Sequence, residues 1–269
     1  MRNREKQYVK IFLEPLYECL SYKPKMGDAQ KEDGYSLNDF LSLYGSDPFY
    51  SWIGLDTLLM YMAHKAAGCM TSIYRQIGIG CERLFRAILC DTADYADPDS
   101  AHWSYQTETK AGKTKTLSLD GRLELADIRN PKVKANVKKW VHDYAKSMGV
   151  DTNLKGAVFE VRQGYKSKDS KRQNADIDNI TVAYAYKYLP VITVFSSQID
   201  KDIVLRYRNS KSAIIVGNYN SNPQVSLFSF SKEILGYDLA GFFKTHSPEI
   251  REEMNTVLEK LFGGNEKKN

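Results

Sequence analysis

The 269 residues are 42% hydrophobic and 26% charged, the balance of a globular chain with a real core, so extended disorder is not expected. Thirty-eight Lys and Arg against 33 Asp and Glu give a formal charge of +5, too mild to name a polyanionic partner by itself. No run of about 18 apolar residues occurs and the charged start leads into no signal-length apolar stretch, so neither a membrane span nor secretion is expected.

Tyr8, Ile11, Phe12, Leu16 and Leu20 recur at helical spacing and predict an amphipathic helix over 5–22. Residues 23–35 are polar and form a loop. Ser36 followed by Asp39 predicts a capped helix through Tyr44, which Gly45 to Pro48 interrupts. A long apolar periodicity spans 54–91, where Gly78 and Gly80 predict two helices or one kink. Cys19, Cys69, Cys81 and Cys90 lie in or beside these patterns. They form no C-x-x-C pair and have no ligand spacing with His64, His102, His142 or His246. Buried free thiols in a reducing cytoplasm are the expectation.

Residues 102–119 alternate, predicting strands Trp103–Thr109 and Thr114–Leu119 joined by a turn at Lys110–Lys113. Pro131 opens a helix carrying Val133, Val137, Trp140, Val141 and Tyr144, which Gly149 ends. An apolar strand at 157–163 follows, then a basic loop, a helix at about 173–188, a strand at 191–195 and an apolar run at 213–216. Such strand–helix–strand order with continuous apolar strands implies a sheet covered on both faces. Residues 224–230 are a candidate strand, and Ser247-Pro248 opens a final helix to Gly263. The expectation is one α/β domain leaning to α+β. It has a mainly helical part over 1–91, an α/β core over 100–230 and a C-terminal helix over 247–263.

The stretch around Glu160 carries the chemistry. An apolar strand delivers Glu160, with Arg162 on the same face, into a loop holding Lys166, Lys168, Lys171 and Arg172. Gln163, Gln173 and Asn174 are interleaved with these cations. A carboxylate can hold a metal ion, cations can meet phosphates, and amides can read base edges. Asp151, nine residues before Glu160, is the candidate second carboxylate, the two sharing Mg²⁺. Asp120 competes for that role, although Leu119-Asp-Gly121 also reads as a hairpin turn. Glu160 paired with Arg162 for structural reasons alone is the plainer reading.

Asp151, Glu160-Val-Arg162, the helix and the following strand resemble the PD-(D/E)xK nuclease superfamily, and type II restriction endonucleases within it. Glu82, in Gly78-Ile-Gly-Cys-Glu-Arg-Leu-Phe85, resembles that family's accessory helical acid. The resemblance implies a restriction-endonuclease-like mixed central sheet flanked by helices. It also implies Mg²⁺-dependent cleavage of double-stranded DNA at a specific short sequence by a homodimer. On that reading Asp151 and Glu160 hold the metal, and Arg162 with Lys166 neutralises the scissile phosphate. Gln163, Lys168, Lys171, Arg172, Gln173 and Asn174 contact DNA. A cognate DNA methyltransferase in the same system and a cytoplasmic location follow from it too. Arg162 stands where the family usually has Lys, and Asp176 or Asp178 on the next helix could supply a relocated carboxylate. Three alternatives stay open: a non-catalytic DNA-binding protein of this fold, a structure-specific or RNA nuclease, and an α/β protein binding a phosphorylated metabolite.

Overall fold

The computed structural model describes residues 2–26, 30–108, 114–165 and 170–262, with the side chains of residues 2, 108 and 170–172 outside that description. The fold is α+β, with two small sheets among many helices. The chain groups into two compact units: Met1–Phe12 with Cys81–Ser247, and Leu13–Gly80 with Pro248–Asn269. Among the described residues no helix is long and apolar enough to cross a membrane.

The first unit holds both sheets. Helix α1 (Arg2–Leu13) is followed by a 3-10 segment, Glu14–Ser21, in place of the single helix expected over 5–22. Pro15, at the second position of that segment, leaves an amide that cannot donate, which suits the first turn of a new helical segment. Helix α4 (Leu58–Ala93), which belongs to the second unit up to Gly80 and to the first from Cys81, runs unbroken through Gly78 and Gly80 where a break or kink is expected. A Cβ built on Gly78 would meet nothing within 4 Å, so no close approach there requires glycine.

Strands β1 (Trp103–Glu108) and β2 (Thr114–Leu119) form the expected hairpin, paired Trp103↔Leu119 through Glu108↔Thr114. Its turn lies outside the described residues. One residue on, β3 (Gly121–Glu124) opens the second sheet, of order β3-β4-β5-β6. Here β4 is Gly156–Arg162, β5 is Tyr188–Val194 and β6 is Ala213–Val216. β3 pairs antiparallel to β4, and β4, β5 and β6 run parallel. Every residue of β5 is buried, as expected of a central strand covered on both faces.

Between β3 and β4 runs α5 (Pro131–Met148). Asn130 caps its N-terminus by accepting from the Lys132 and Val133 amides. Gly149, at φ 66°, adopts the left-handed cap that closes its C-terminus. Helix α6 (Ser170–Ala185) links β4 to β5, and α7 (Lys201–Asn209) links β5 to β6. The expected strand over 224–230 is instead a short helix, α8 (Leu227–Ser229), continuing as a π turn over Phe230–Ile234. An isolated bridge, Val216↔Ser226, ties the residue before α8 to the end of β6. The last helix, α9 (Leu239–Phe262), begins well before Ser247 and carries Pro248 inside it.

The second unit contains α2 (Leu37–Gly45), whose Ser36–Asp39 capping box forms as the sequence predicts, and α3 (Pro48–Trp52), capped by Asp47. Cys19, Cys69, Ile73, Val257 and Leu261 form its buried cluster. All four cysteines are free, and burial pushes the Cys90 thiol up to about 11.

Candidate active site

Strand β4 sorts its side chains by alternation. Phe159 packs edge-on to Phe85 of α4 at 5.2 Å and lies 5.8 Å from Phe230. The opposite face carries Val158, which clusters with Ala183, Tyr188 and the hairpin residues Trp103, Tyr105 and Leu119. The same face then turns from apolar to charged within two residues, at Glu160 and Arg162. Arg162 Nη1 lies 2.5 Å from Glu160 Oε1, and its Nη2 donates to Asp176 Oδ1 at 2.7 Å. Asp176 is buried on α6 and its other oxygen accepts from Tyr165 (2.9 Å) and Tyr207 (2.6 Å). Those two hydroxyl oxygens are 2.6 Å apart.

Asp120 enters from the neighbouring strand. Its amide donates to the Phe159 carbonyl at 2.9 Å, continuing the Gly121↔Phe159 ladder, so Asp120 stands across from Glu160. Its Oδ2 accepts from the Val161 amide at 2.7 Å, and its carbonyl accepts from Arg86 Nε at 2.8 Å. Gly121 lets α4 come close: a Cβ there would sit 3.0 Å from Leu89 Cδ1. On α4, Arg86 also pairs with Glu82, at 2.7 Å.

Four carboxylates, Glu82, Asp120, Glu160 and Asp176, thus act on one another with two guanidiniums, Arg86 and Arg162, among them. Burial raises Glu160 to about 8; Arg162 opposes that rise, while Asp120, Asp176 and Glu82 add to it. Burial and then Glu82 raise Asp120 to about 6 against the Val161 amide, Arg162 and Arg86. Burial lowers the Arg162 value, but Glu160 and Asp176 outweigh it, so the guanidinium stays charged. Among the described residues the cluster has four carboxylates against two guanidiniums. A proton or an external cation must supply the difference.

The donor chemistry fits Mg²⁺, a hard cation that takes oxygen ligands. It is commonly held by one or two carboxylates together with water and substrate phosphate. Asp120 and Glu160 are such a pair. Among the described residues no three His, Cys, Asp or Glu side chains converge closely enough to form a complete protein cage.

The structure does not bring Asp151 to this place. Its Oδ1 accepts from the Asn153 amide in an exposed loop before β4. The four steps from Gly156 to Glu160 alone carry the chain about 13 Å along the strand. Glu82, expected as an accessory acid, does act on both Asp120 and Glu160. Two expected base-reading amides are engaged elsewhere. Gln173 is only 4% exposed and its Oε1 accepts from Arg206 Nη1 at 2.7 Å, while Asn174 Oδ1 accepts from Arg206 Nη2 at 2.5 Å. Packing of α6 against α7 therefore uses their amide oxygens. Gln163 is half-buried beside the strand end, and Asp178 is exposed on α6. Lys166 and Lys168, and the side chains of Lys171 and Arg172, lie outside the described residues.

Tyr165, Tyr207 and Arg86 carry no motif that marks them in sequence. Asp120 does have a signal: Leu117, Leu119, Gly121 and Leu123 alternate across it, which argues for a strand passing through rather than turning. No protein-family model, curated protein or solved structure matches the chain.

Proposed function

We propose that this chain is a Mg²⁺-dependent nuclease of the PD-(D/E)xK kind, with a restriction-endonuclease-like core that cleaves double-stranded DNA. One observation carries the reading: Asp120, the residue before β3, stands across from Glu160 of antiparallel β4, and with Glu82 and Asp176 these acids outnumber the guanidiniums described beside them. Asp120 takes the part that sequence spacing gave to Asp151.

Asp120 and Glu160 would hold the ion. When bound, Mg²⁺ supplies a water of lowered pKa and stabilises charge on the leaving oxygen. Arg162 presents a permanent positive charge beside Glu160, fixed in place by Asp176, and stabilises charge developing on the phosphate. A guanidinium does not give up its proton at ordinary pH, so Arg162 is no general base. Glu160 must lose its proton to serve as a ligand, so activity rises with pH towards 8. The cations that follow β4 in sequence, Lys166, Lys168, Lys171 and Arg172, are proposed to meet the DNA backbone. Recognition of a specific short site, action as a homodimer, a cognate methyltransferase and a cytoplasmic setting extend the same reading.

A second reading, a non-catalytic DNA-binding protein, is favoured by the 2.5 Å pair between Glu160 and Arg162, which already gives that carboxylate a partner. The two are separated by incubating purified protein with unmethylated phage DNA in Mg²⁺ or in EDTA, alongside Glu160→Ala. Discrete bands that need Mg²⁺ and vanish in the variant support the nuclease. Salt-sensitive binding without cleavage supports the second reading, and no binding at all contradicts both.

A further inference from the structure

The second unit turns an apolar face outward. Trp52 at the end of α3 is 82% exposed and Leu59 in the first turn of α4 is 78% exposed. Phe49, Ile53, Leu58 and Met62 are each more than half exposed. Leu58, Leu59 and Met62 share one side of α4, at spacings of one, three and four residues. The inward side is already occupied: Phe40 stacks on Tyr44 at 4.2 Å and packs 5.6 Å from Tyr61, and Tyr44 Oη lies 2.9 Å from His64 Nε2. The outward residues are therefore not a core waiting for a small adjustment.

With about 200 Å² for each large side chain, the exposed fractions of these residues and Tyr50 amount to about 800 Å². Monomeric proteins seldom expose an apolar patch beyond roughly 300–600 Å². About 800 Å² per partner is what a standard stable interface buries.

The charge pattern narrows the occupant. From Pro48 to Ala63 the sole charged residue is Asp56, whose carboxylate accepts from Ser51 Oγ at 3.1 Å. A two-fold interface sets a surface against its own copy, so a strongly charged patch would repel itself and this one does not. No Lys or Arg occurs between residues 32 and 64, whereas surfaces that lie on anionic membranes carry cations around the apolar face.

We propose that this face, formed by α3 and the first turns of α4, is the surface through which two copies of the chain pair about a two-fold axis, with Trp52 and Leu59 as its anchors. It would bury itself whatever the chain's catalytic activity, so the pairing does not rest on the nuclease reading.

The test is sedimentation equilibrium of the full chain up to about 100 µM, for wild type, Trp52→Ser and Leu59→Glu. Far-UV circular dichroism checks that each variant is folded. The expected wild-type species has twice the 30.7 kDa chain mass, and each folded variant dissociates at least about tenfold more readily. Both positions are exposed, and the two substitutions differ in character, so either folded variant suffices. A wild type that stays monomeric throughout overturns the proposal, as does a dimer that both folded variants leave unchanged. Monomeric protein that instead sediments with phosphatidylserine-containing vesicles overturns it in favour of a lipid surface.

Discussion

Strand β4 has a cluster of arginine, carboxylate and tyrosine near each of its ends, and the two clusters are built to different electrostatic rules. At the start, Arg122 bridges Glu124 and Asp127, each at 3.1 Å, and Lys155 approaches Glu124 at 3.9 Å. Tyr188 donates to Glu124, and the Lys155 ammonium sits 4.5 Å over the Tyr188 ring. Two acids face two cations. At the far end, among the described residues, Glu82, Asp120, Glu160 and Asp176 face Arg86 and Arg162, and burial with mutual repulsion raises Glu160 and Asp120. Similar residue types near the two ends of one strand thus make a balanced brace at one end and an unbalanced cluster at the other. A balanced cluster is complete in itself, whereas an unbalanced one takes up a proton or a cation.

Five substitutions press on that difference. Arg162→Met removes the guanidinium that bridges Glu160 and buried Asp176, leaving both acids without it. It is expected to destabilise the protein by about 3–5 kcal/mol, read from the urea midpoint. Glu160→Gln and Asp120→Asn are each expected to lower Mg²⁺-dependent DNA cleavage by about 10²–10³-fold while leaving the unfolding midpoint at pH 8 unchanged or higher, since each removes a charge the fold holds at a cost. A variant that unfolds instead would make the far end a structural brace like the near one. Glu124→Gln is expected to do the reverse: it loses about 1–2 kcal/mol of stability and keeps full cleavage. Asp151→Asn is expected to change stability by less than about 0.5 kcal/mol and to leave cleavage rates alone, because its side chain only closes an exposed turn. A cleavage defect in Asp151→Asn would return that residue to the site.

The local parts of this architecture are legible in sequence. Alternation locates the hairpin 103–119, a continuous apolar run locates β4, Pro131 and Gly149 bracket α5, and Ser36 with Asp39 marks the start of α2. These signals lie within a few residues of what they specify. The strand expected over 224–230 is a helix instead, because a short apolar run does not by itself distinguish the two. Glu160 and Arg162 are marked by the strand that carries them, whereas Glu82 enters only through the family resemblance. The partner of Glu160 is not legible, because an inserted helix, α5, separates β3 from β4. Asp120 and Glu160 meet through an antiparallel register set across about forty residues, where spacing favours the nearer Asp151. The engagement of Gln173 is not legible for a similar reason: Arg206, which donates to its Oε1, arrives from α7, 33 residues later.

The thermal midpoint as a function of pH, with and without Mg²⁺, tests the unbalanced cluster most directly. Glu160 and Asp120 are raised from ordinary values of 4.5 and 3.8 to about 8 and about 6. The folded protein therefore binds more protons at these two groups than the unfolded chain. Their stabilising contribution is fully present below about pH 4 and is lost as pH rises through about 6 and then 8. Without metal, the midpoint of wild type minus that of the Glu160→Gln variant is predicted to fall across this window. With about 10 mM Mg²⁺ the wild-type midpoint at pH 8.5 is predicted to recover by about 3 °C, and that of Glu160→Gln is not. A difference that rises with pH, or a Mg²⁺ response that survives in Glu160→Gln, would contradict the account.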